Sequence, residues 1–194
     1  MNRTLAALMM TITALGAAFS AAPALAQGAK GPSNVVSPQP LPIDDSRPRV
    51  FLGGSIDMGG APDWQAAMTS ALADMDVVIL NPRRPDWNPN WRHEADEPEF
   101  RRQVEWELAA LESADVIVMY FAPGTQSPIS LLEMGLHARG GKLIVLAPEG
   151  FWRKGNVDIT AQAYGVKQVK TLPELTAAVR EALNDAASKG RFAR

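Results

Sequence analysis

Glu133 is the acidic residue whose surroundings in the sequence most strongly suggest chemistry. Residues 127–136 read SPISLLEMGL, and at helical spacing the neighbours of Glu133 are Ile129 and Leu136. A carboxylate on such an apolar stripe should face the core, and burial of an unpaired carboxylate is costly, so such residues are usually paired or functional. Glu133 also lies about two turns from the predicted start of its helix, where the helix dipole favours an anion. A glutamate at the edge of the stripe, bonded to an arginine or a backbone amide, is the alternative interpretation.

A second carboxylate, Glu107, borders the predicted apolar stripe of a helix over residues 98–113. Gln103 lies one turn earlier on nearly the same face, so the two side chains could act together. A solvated glutamate on a helix surface is the common alternative. Two carboxylates at the mouth of a sheet suit glycosidic chemistry, in which one attacks the anomeric carbon and another group handles the proton of the leaving group. The predicted stripe consists of Phe100, Val104, Leu108 and Leu111.

Glycines and hydroxyls occur where a ligand could meet the backbone. Gly53 ends the first predicted strand and Gly54 and Ser55 follow it, and glycines there allow close approach of a ligand to free amides. Ser127 and Ser130 lie at the predicted start of the helix that carries Glu133, a position that suits a phosphate or a carboxylate. A plain tight turn and simple helix capping are the respective alternatives.

Alternating strands and helices must position these residues. Predicted strands that are each followed by a helix indicate a parallel sheet covered by helices on both faces. Such sheets bind ligands beyond the carboxyl ends of their strands. The predicted strands are 50–53, 77–80, 116–120, 142–146 and, more weakly, 166–169. The predicted helices begin near Pro62, Pro98, Ser127 and Thr171.

Composition excludes several classes of function. The 194 residues include no cysteine and two histidines, which argues against a disulfide framework, a zinc–thiolate site, a thiol nucleophile or a histidine-rich metal site. The net charge of −2 argues against a protein that coats nucleic acid. We therefore predict no metal site and no nucleic-acid partner.

The N-terminal region divides into two segments before the folded unit. Residues 1–26 contain one cation, an uncharged run and a final Ala-Leu-Ala, which is typical of a cleaved secretory signal peptide. An uncleaved membrane anchor is the alternative. Residues 27–48 contain five prolines and are interpreted as a linker or surface arm. The prediction is a domain over residues 49–190 that is periplasmic or secreted and does not associate with the membrane after cleavage.

Four segments between Arg49 and Asp158 carry a resemblance to a known family. They are VFLGGSI at 50–56, Glu107 eight residues before Asp115, LEMG at 132–135, and 148–157 with Asn156. Their order and spacing together resemble the nucleoside 2-deoxyribosyltransferase family, including its nucleotide N-glycosidase relatives. Two positions depart from the family pattern. Phe51 stands where the family has a tyrosine, and Ser127 stands where transferase members often carry an aspartate.

The resemblance implies a doubly wound, flavodoxin-like sheet of about five strands and a reaction at N-glycosidic bonds. Glu133 would attack C1′ of a nucleoside or nucleotide and form a covalent ribosyl-enzyme, and Glu107 would hold or protonate the leaving base. Asn156 would reach the pocket of a partner subunit, which implies a homo-oligomer. No cofactor is implied. A secreted module that binds nucleosides or nucleotides without turnover is the alternative.

The resemblance also implies which residues bind the substrate. The sugar or phosphate would contact the glycine turn and the serine hydroxyls. The side-chain amide of Gln103, on the same predicted helix as Glu107, would also contact the substrate. These substrate-binding residues are Gly53, Gly54, Ser55, Gln103, Ser127, Ser130 and Asn156.

Overall fold

A computed structural model describes residues 31–57 and 61–190, in which strands and helices alternate. The predicted signal peptide lies outside the described residues. Among those described, no helix combines the length and the apolar character that a membrane span requires. The strands are β1 Ser33–Val36, β2 Arg49–Gly54, β3 Val78–Asn81, β4 Val116–Tyr120, β5 Leu143–Leu146 and β6 Lys167–Val169. The helices are α1 Trp64–Ala71, α2 Pro98–Ser113, α3 Pro128–His137, α4 Lys154–Tyr164 and α5 Leu172–Lys189.

All neighbouring strands are parallel, in the order β1-β3-β2-β4-β5-β6. The chain winds from β2 to β3 in one direction and then from β4 to β6 in the other, so helices cover both faces. Helices α1 and α5 pack with Val50 and Leu52 of β2 on one face, and α2, α3 and α4 pack with Phe51 on the other. The predicted doubly wound, flavodoxin-like α/β fold is confirmed.

The segment interpreted as a linker or surface arm supplies a sixth strand, which favours the surface arm over a free linker for its described residues. Residues 31–46, which we call the N-terminal arm, include β1, and β1 pairs with β3 so that Val36 lies opposite Asn81. The Trp106 indole donates to the carbonyl of Gln39 at 2.7 Å and fixes the arm onto α2. An edge strand of four residues needs few apolar side chains and tolerates flanking prolines, so the composition of the segment concealed it.

Two details of the helices also differ from the predictions. The structure contains α4 where no helix was predicted. The sequence carries little sign of this helix because only Val157 and Ala161 of it are buried. The predicted stripe of α2 was wrong at Val104 and Leu108, which are exposed, and right at Leu111, which is buried. The buried face of α2 instead consists of Gln103, Trp106, Ala110 and Leu111.

Candidate functional site

Helix α3 places Glu133 against the sheet. Glu133 is 8% exposed and shares the buried face of the helix with Ser130 and Met134. The sequence predicted this burial for the wrong reason, because the apolar stripe faces outward: Ile129 and Leu136 are each 59% exposed. The carboxylate thus lies on the face of α3 that packs against the sheet, beside the core residue Met134, while the apolar residues Ile129 and Leu136 face outward.

Among the residues that the structure describes, no cation forms an ion pair with the Glu133 carboxyl. Burial raises its pKa to about 8, and the negative charge of nearby Glu107 contributes to the increase. Within residues 31–57 and 61–190, no hydrogen bond or ion pair to this carboxyl is formed. A buried carboxyl in this state is not the arginine-bonded glutamate of the alternative interpretation, and groups of this kind cluster at functional sites.

Glu107 is the second member of the carboxyl pair. Burial raises its pKa to about 7, against the opposing effect of a hydrogen bond from Gln103. In that bond the Gln103 amide nitrogen donates to Glu107 Oε1 at 2.8 Å. The same nitrogen donates to the carbonyl of Pro82, directly after β3, at 3.0 Å. The predicted partnership of Gln103 and Glu107 is therefore observed, and it lies at the carboxyl end of the sheet.

The coupled raised pKa values give the pair a defined chemical character. With pKa values of about 8 for Glu133 and about 7 for Glu107, the pair retains a proton at neutral pH, and Glu107 is the first of the two to ionise in the free protein. Neither group would have this capacity in bulk water, where both would be ionised. The pair can provide an anionic nucleophile and a proton donor at the same time.

Three hydroxyls form a compact cluster where β2 and β4 end. Ser55 Oγ lies 2.8 Å from Thr125 Oγ1 and 2.7 Å from Ser127 Oγ, and the last two atoms are 3.0 Å apart. The backbone N–H of Ala122 donates to Ser55 Oγ at 2.8 Å. Sequence analysis identified Ser55 and Ser127 but missed Thr125, whose only signal was its position two residues before Ser127. Because β2 and β4 flank the point where the winding direction reverses, the cluster lies where such folds bind ligands.

Ser127 does not cap α3, so the simple capping interpretation is wrong. It lies at the N-cap position with a φ of 46°, in the left-handed region, and its side chain makes no capping hydrogen bond. The hydroxyl instead joins Ser55 and Thr125. A non-glycine residue in this conformation costs free energy and is often found at functional sites.

The glycines of the β2 turn have a packing explanation. A Cβ atom on Gly54, whose φ is 131°, would lie 2.3 Å from the carbonyl oxygen of Tyr120. A Cβ atom on Gly53 would lie 3.0 Å from Cε1 of Phe51. Glycine at position 54 lets β2 approach β4, and this approach brings Ser55 to its hydroxyl partners. The structure thus relates these glycines to the site through Ser55.

Asn156 has no described hydrogen bond to the carboxyl pair. It is exposed near the start of α4, and no described side-chain hydrogen bond joins it to the other predicted site residues. Among the described residues, no group of three or more metal-ligating side chains is close enough to hold an ion.

The fold defines a doubly wound α/β protein, and the candidate site lies at the reversal point of its sheet. Residues 47–151 match the family described as "Nucleoside 2-deoxyribosyltransferase like", and since this is more than half of the chain, the protein belongs to that family. The match includes both carboxyls and the hydroxyl cluster, and it excludes β1 and Asn156. No curated protein matches the chain.

The fold is also similar to that of a solved structure. This is the crystal structure of a conserved protein from Enterococcus faecalis V583, with a TM-score of 0.52 and 11% sequence identity. The similarity covers 70% of this chain and 99% of that one. At this identity the likeness shows the shared fold.

Proposed function

We propose that this protein cleaves or transfers the N-glycosidic bond of nucleosides or nucleotides, with Glu133 as the nucleophile and Glu107 as the proton donor. The observation that carries the proposal is the coupled pair of buried carboxyls without a cationic partner among the described residues. Family membership supports the reaction class, since the matched segment contains both carboxyls.

The proposal requires that, once substrate is bound, the proton that the pair retains lies on Glu107. In the first step the ionised Glu133 carboxylate then attacks C1′ of the sugar. The bond between C1′ and the base nitrogen breaks, and its electron pair leaves with the base. Glu107 transfers its proton to the base, which makes the base a better leaving group. The products of this step are a glutamyl ester of the sugar, a neutral base and an ionised Glu107.

The second step restores both carboxyls. Glu107, now a carboxylate, accepts a proton from water or from an incoming base while that molecule attacks C1′. The ester bond to Glu133 breaks and its electrons return to the carboxylate. Two displacements at C1′ give net retention of configuration.

The hydroxyl cluster supports a role in binding the sugar or a 5′-phosphate. Ser55 and Ser127 present hydroxyls beside the N-terminus of α3, where the helix dipole favours a negative group. Ser130 is buried on the same helix face as Glu133, so it is placed to contact the sugar that Glu133 attacks. Gly53 and Gly54 would contribute backbone contacts in the same turn.

A homo-oligomer, in which Asn156 completes the pocket of a partner subunit, is part of the proposal. Its support is that Asn156 is exposed and that the outward face of α3 carries three apolar side chains exposed at 59% each, which are Ile129, Leu132 and Leu136. Leu132→Asp should lower the molar mass measured by light scattering after size exclusion, and Glu105→Gln on the surface of α2 is the control. An unchanged mass in Leu132→Asp would exclude α3 from the interface.

Export to the periplasm or outside the cell, followed by cleavage after Ala26, also remains a proposal. Residues 1–26 of the sequence support it. N-terminal sequencing of the protein from fractionated cells tests it, and a mature chain that begins at Met1 in the cytosolic fraction would contradict it.

The central experiment measures release of free base. Purified protein is incubated with ribonucleosides, deoxynucleosides and 5′-nucleotides, with and without an acceptor base, and products are separated by chromatography. Glu133→Gln should reduce base release by at least about 10³-fold, because it removes the nucleophile. Glu105→Gln is the matched control, since Glu105 is exposed on α2. Acid-quenched protein should carry a sugar adduct on the peptide that contains Glu133.

A nucleoside-binding module without turnover is the second candidate. It is favoured by Phe51, which is fully buried in the core and provides no hydroxyl to orient Glu133. It is also favoured by the raised pKa of Glu133, since a protonated carboxyl is a poor nucleophile. Calorimetric binding of a nucleoside together with no base release by the wild-type protein would support this candidate over catalysis.

A further inference from the structure

We infer that Ser37, in the N-terminal arm, is a positioning residue for Glu107 and acts through Gln103. The inference rests on the proposed function, which gives Glu107 a proton to deliver. The arm precedes the segment that matches the family, which begins at residue 47. This role therefore belongs to a part of the chain outside the matched domain.

Strand pairing brings Ser37 to the site. Val36 at the end of β1 lies opposite Asn81 at the end of β3, and the Ser37 N–H donates to the carbonyl of Asn81 at 3.0 Å. Ser37 and Pro82, the residues directly after β1 and β3, therefore lie beside the same space, into which Gln103 projects from α2. Ser37 and Gln103 are both buried, with 3% and 5% exposure.

The hydrogen bonds permit one orientation of the Gln103 amide. The carbonyl of Pro82 can only accept, so the amide nitrogen of Gln103 must face it, at 3.0 Å. The amide oxygen then accepts from the Ser37 hydroxyl at 2.6 Å. The second N–H of the amide is left to donate to Glu107 Oε1 at 2.8 Å.

This orientation selects the oxygen of Glu107 that carries the proton. Because Oε1 accepts from Gln103, the proton of the neutral acid resides on Oε2, where it is available to a leaving base. Glu133 on α3 is the titratable group that interacts electrostatically with Glu107, whereas Ser37 and Pro82 contribute neutral groups. Loss of the Ser37 hydroxyl would leave the Gln103 oxygen without its donor, so the amide could rotate away from Glu107.

Titration of the two carboxyls by NMR tests the inference without any substrate. The protein is labelled with ¹³C at the glutamate side-chain carboxyls, and Glu107→Gln and Glu133→Gln assign the two signals. In Ser37→Ala, weakening of the hydrogen bond to Glu107 should raise its midpoint by about 0.5–1 pH unit. The Glu133 midpoint should stay or fall, because Glu107 then remains neutral to higher pH.

Two further variants make the result specific. Ser37→Thr keeps the hydroxyl and should restore the wild-type midpoints. Ser33→Ala removes a hydroxyl of the same arm that accepts from Arg47 at 2.6 Å, away from Gln103, and should leave both midpoints unchanged.

An unchanged Glu107 midpoint in Ser37→Ala would overturn the inference. A parallel fall of both midpoints toward the ordinary range would also overturn it, since it would indicate a loosened, hydrated site. The absence of base release by the wild-type protein would contradict the proposed function but would not alter these titrations.

Discussion

Arg49 begins β2 at the amino end of the sheet, while Glu133 and Glu107 lie toward its carboxyl end. The buried ionisable groups of these two regions differ in how many hydrogen bonds they make. Arg49 is 3% exposed, and its guanidinium donates to the carbonyls of Pro42, Ile43 and Asp45. At the other end, the pair of glutamates receives one described hydrogen bond, from Gln103 to Glu107.

The difference separates a group that stabilises the fold from the two groups that we propose carry the chemistry. Burial of a charge is tolerated when hydrogen bonds replace its hydration, as around Arg49. The glutamates instead keep their pKa values raised, which lowers stability at neutral pH and is retained where a reaction needs it. Measurements that compare the two regions can therefore test the assignment of function to one end.

The largest effect is expected at Arg49. Arg49→Ala removes the donor that three carbonyls of the N-terminal arm share and should lower the free energy of unfolding by about 3–5 kcal/mol. Urea denaturation measures this change. Arg92→Ala is the matched control, because the Arg92 side chain is 58% exposed in its ion pair with Asp96, and it should change stability by less than about 0.5 kcal/mol. Equal losses of stability in Arg49→Ala and Arg92→Ala would show that the hydrogen bonds of Arg49 do not stabilise the fold, and the contrast with the glutamate pair would be lost.

Substitution of Glu133 should change the free energy of unfolding in the opposite direction, toward greater stability. Between its unfolded pKa near 4.5 and its folded pKa of about 8, the folded state binds more protons than the unfolded state, so stability falls as pH rises. Glu133→Gln abolishes this loss and should be more stable than wild type by roughly 2–4 kcal/mol at pH 8. The difference should vanish near pH 4, where both states of the wild-type residue are protonated.

Thermal and urea unfolding at pH 4 and pH 8 measure this pH dependence. Glu105→Gln on the exposed side of α2 should show almost none of it. A Glu133→Gln protein that is less stable than wild type at pH 8 would show that hydrogen bonds or cations stabilise the Glu133 carboxylate. The contrast with Arg49 would then be wrong.

Ser55 is expected to give a smaller loss. Ser55→Ala leaves the buried N–H of Ala122 without its acceptor and removes one member of the hydroxyl cluster. The expected decrease in the free energy of unfolding is about 1–3 kcal/mol, measured by urea denaturation. Ser70→Ala is the control, since its hydroxyl bonds to Ala66 on the exposed surface of α1. A neutral Ser55→Ala would mean that the cluster contributes no stability.

The smallest effect compares two variants of Ser127. Both Ser127→Gly and Ser127→Ala remove the hydroxyl, but only glycine adopts a φ of 46° without strain. The glycine variant should be more stable than the alanine variant by about 1 kcal/mol in urea denaturation. Equal stability would show that the backbone at Ser127 relaxes, and the strain would not be a feature of the site.

Much of the fold was predictable because its signals are local. Helix α2 runs over 98–113 as predicted, since Pro98 marks its start, and β4 follows a continuous apolar run. The signals of β1 and α4 are weak because few of their side chains are buried. β1 is defined by its pairing with β3, a contact between distant parts of the chain that no local pattern contains.

The site was predictable in its residue types and less so in its geometry. Glu133 was identified from an apolar stripe that in fact faces outward, because the sequence cannot tell whether a stripe meets the sheet or another surface. Thr125 and Ser37 were missed for a common reason. Each reaches the site through tertiary contacts, one through the turn after β4 and the other through the register of β1.

The edge position of β1 has a practical consequence for recombinant work. A fragment cut at the family boundary, residue 47, would retain both glutamates but would uncover the whole of β3 as a new sheet margin. Unsatisfied backbone groups along such a margin recruit strands from other molecules. Expression vectors should therefore begin upstream of Ser33, and poor solubility of a shorter product would reflect the missing strand rather than an unstable domain.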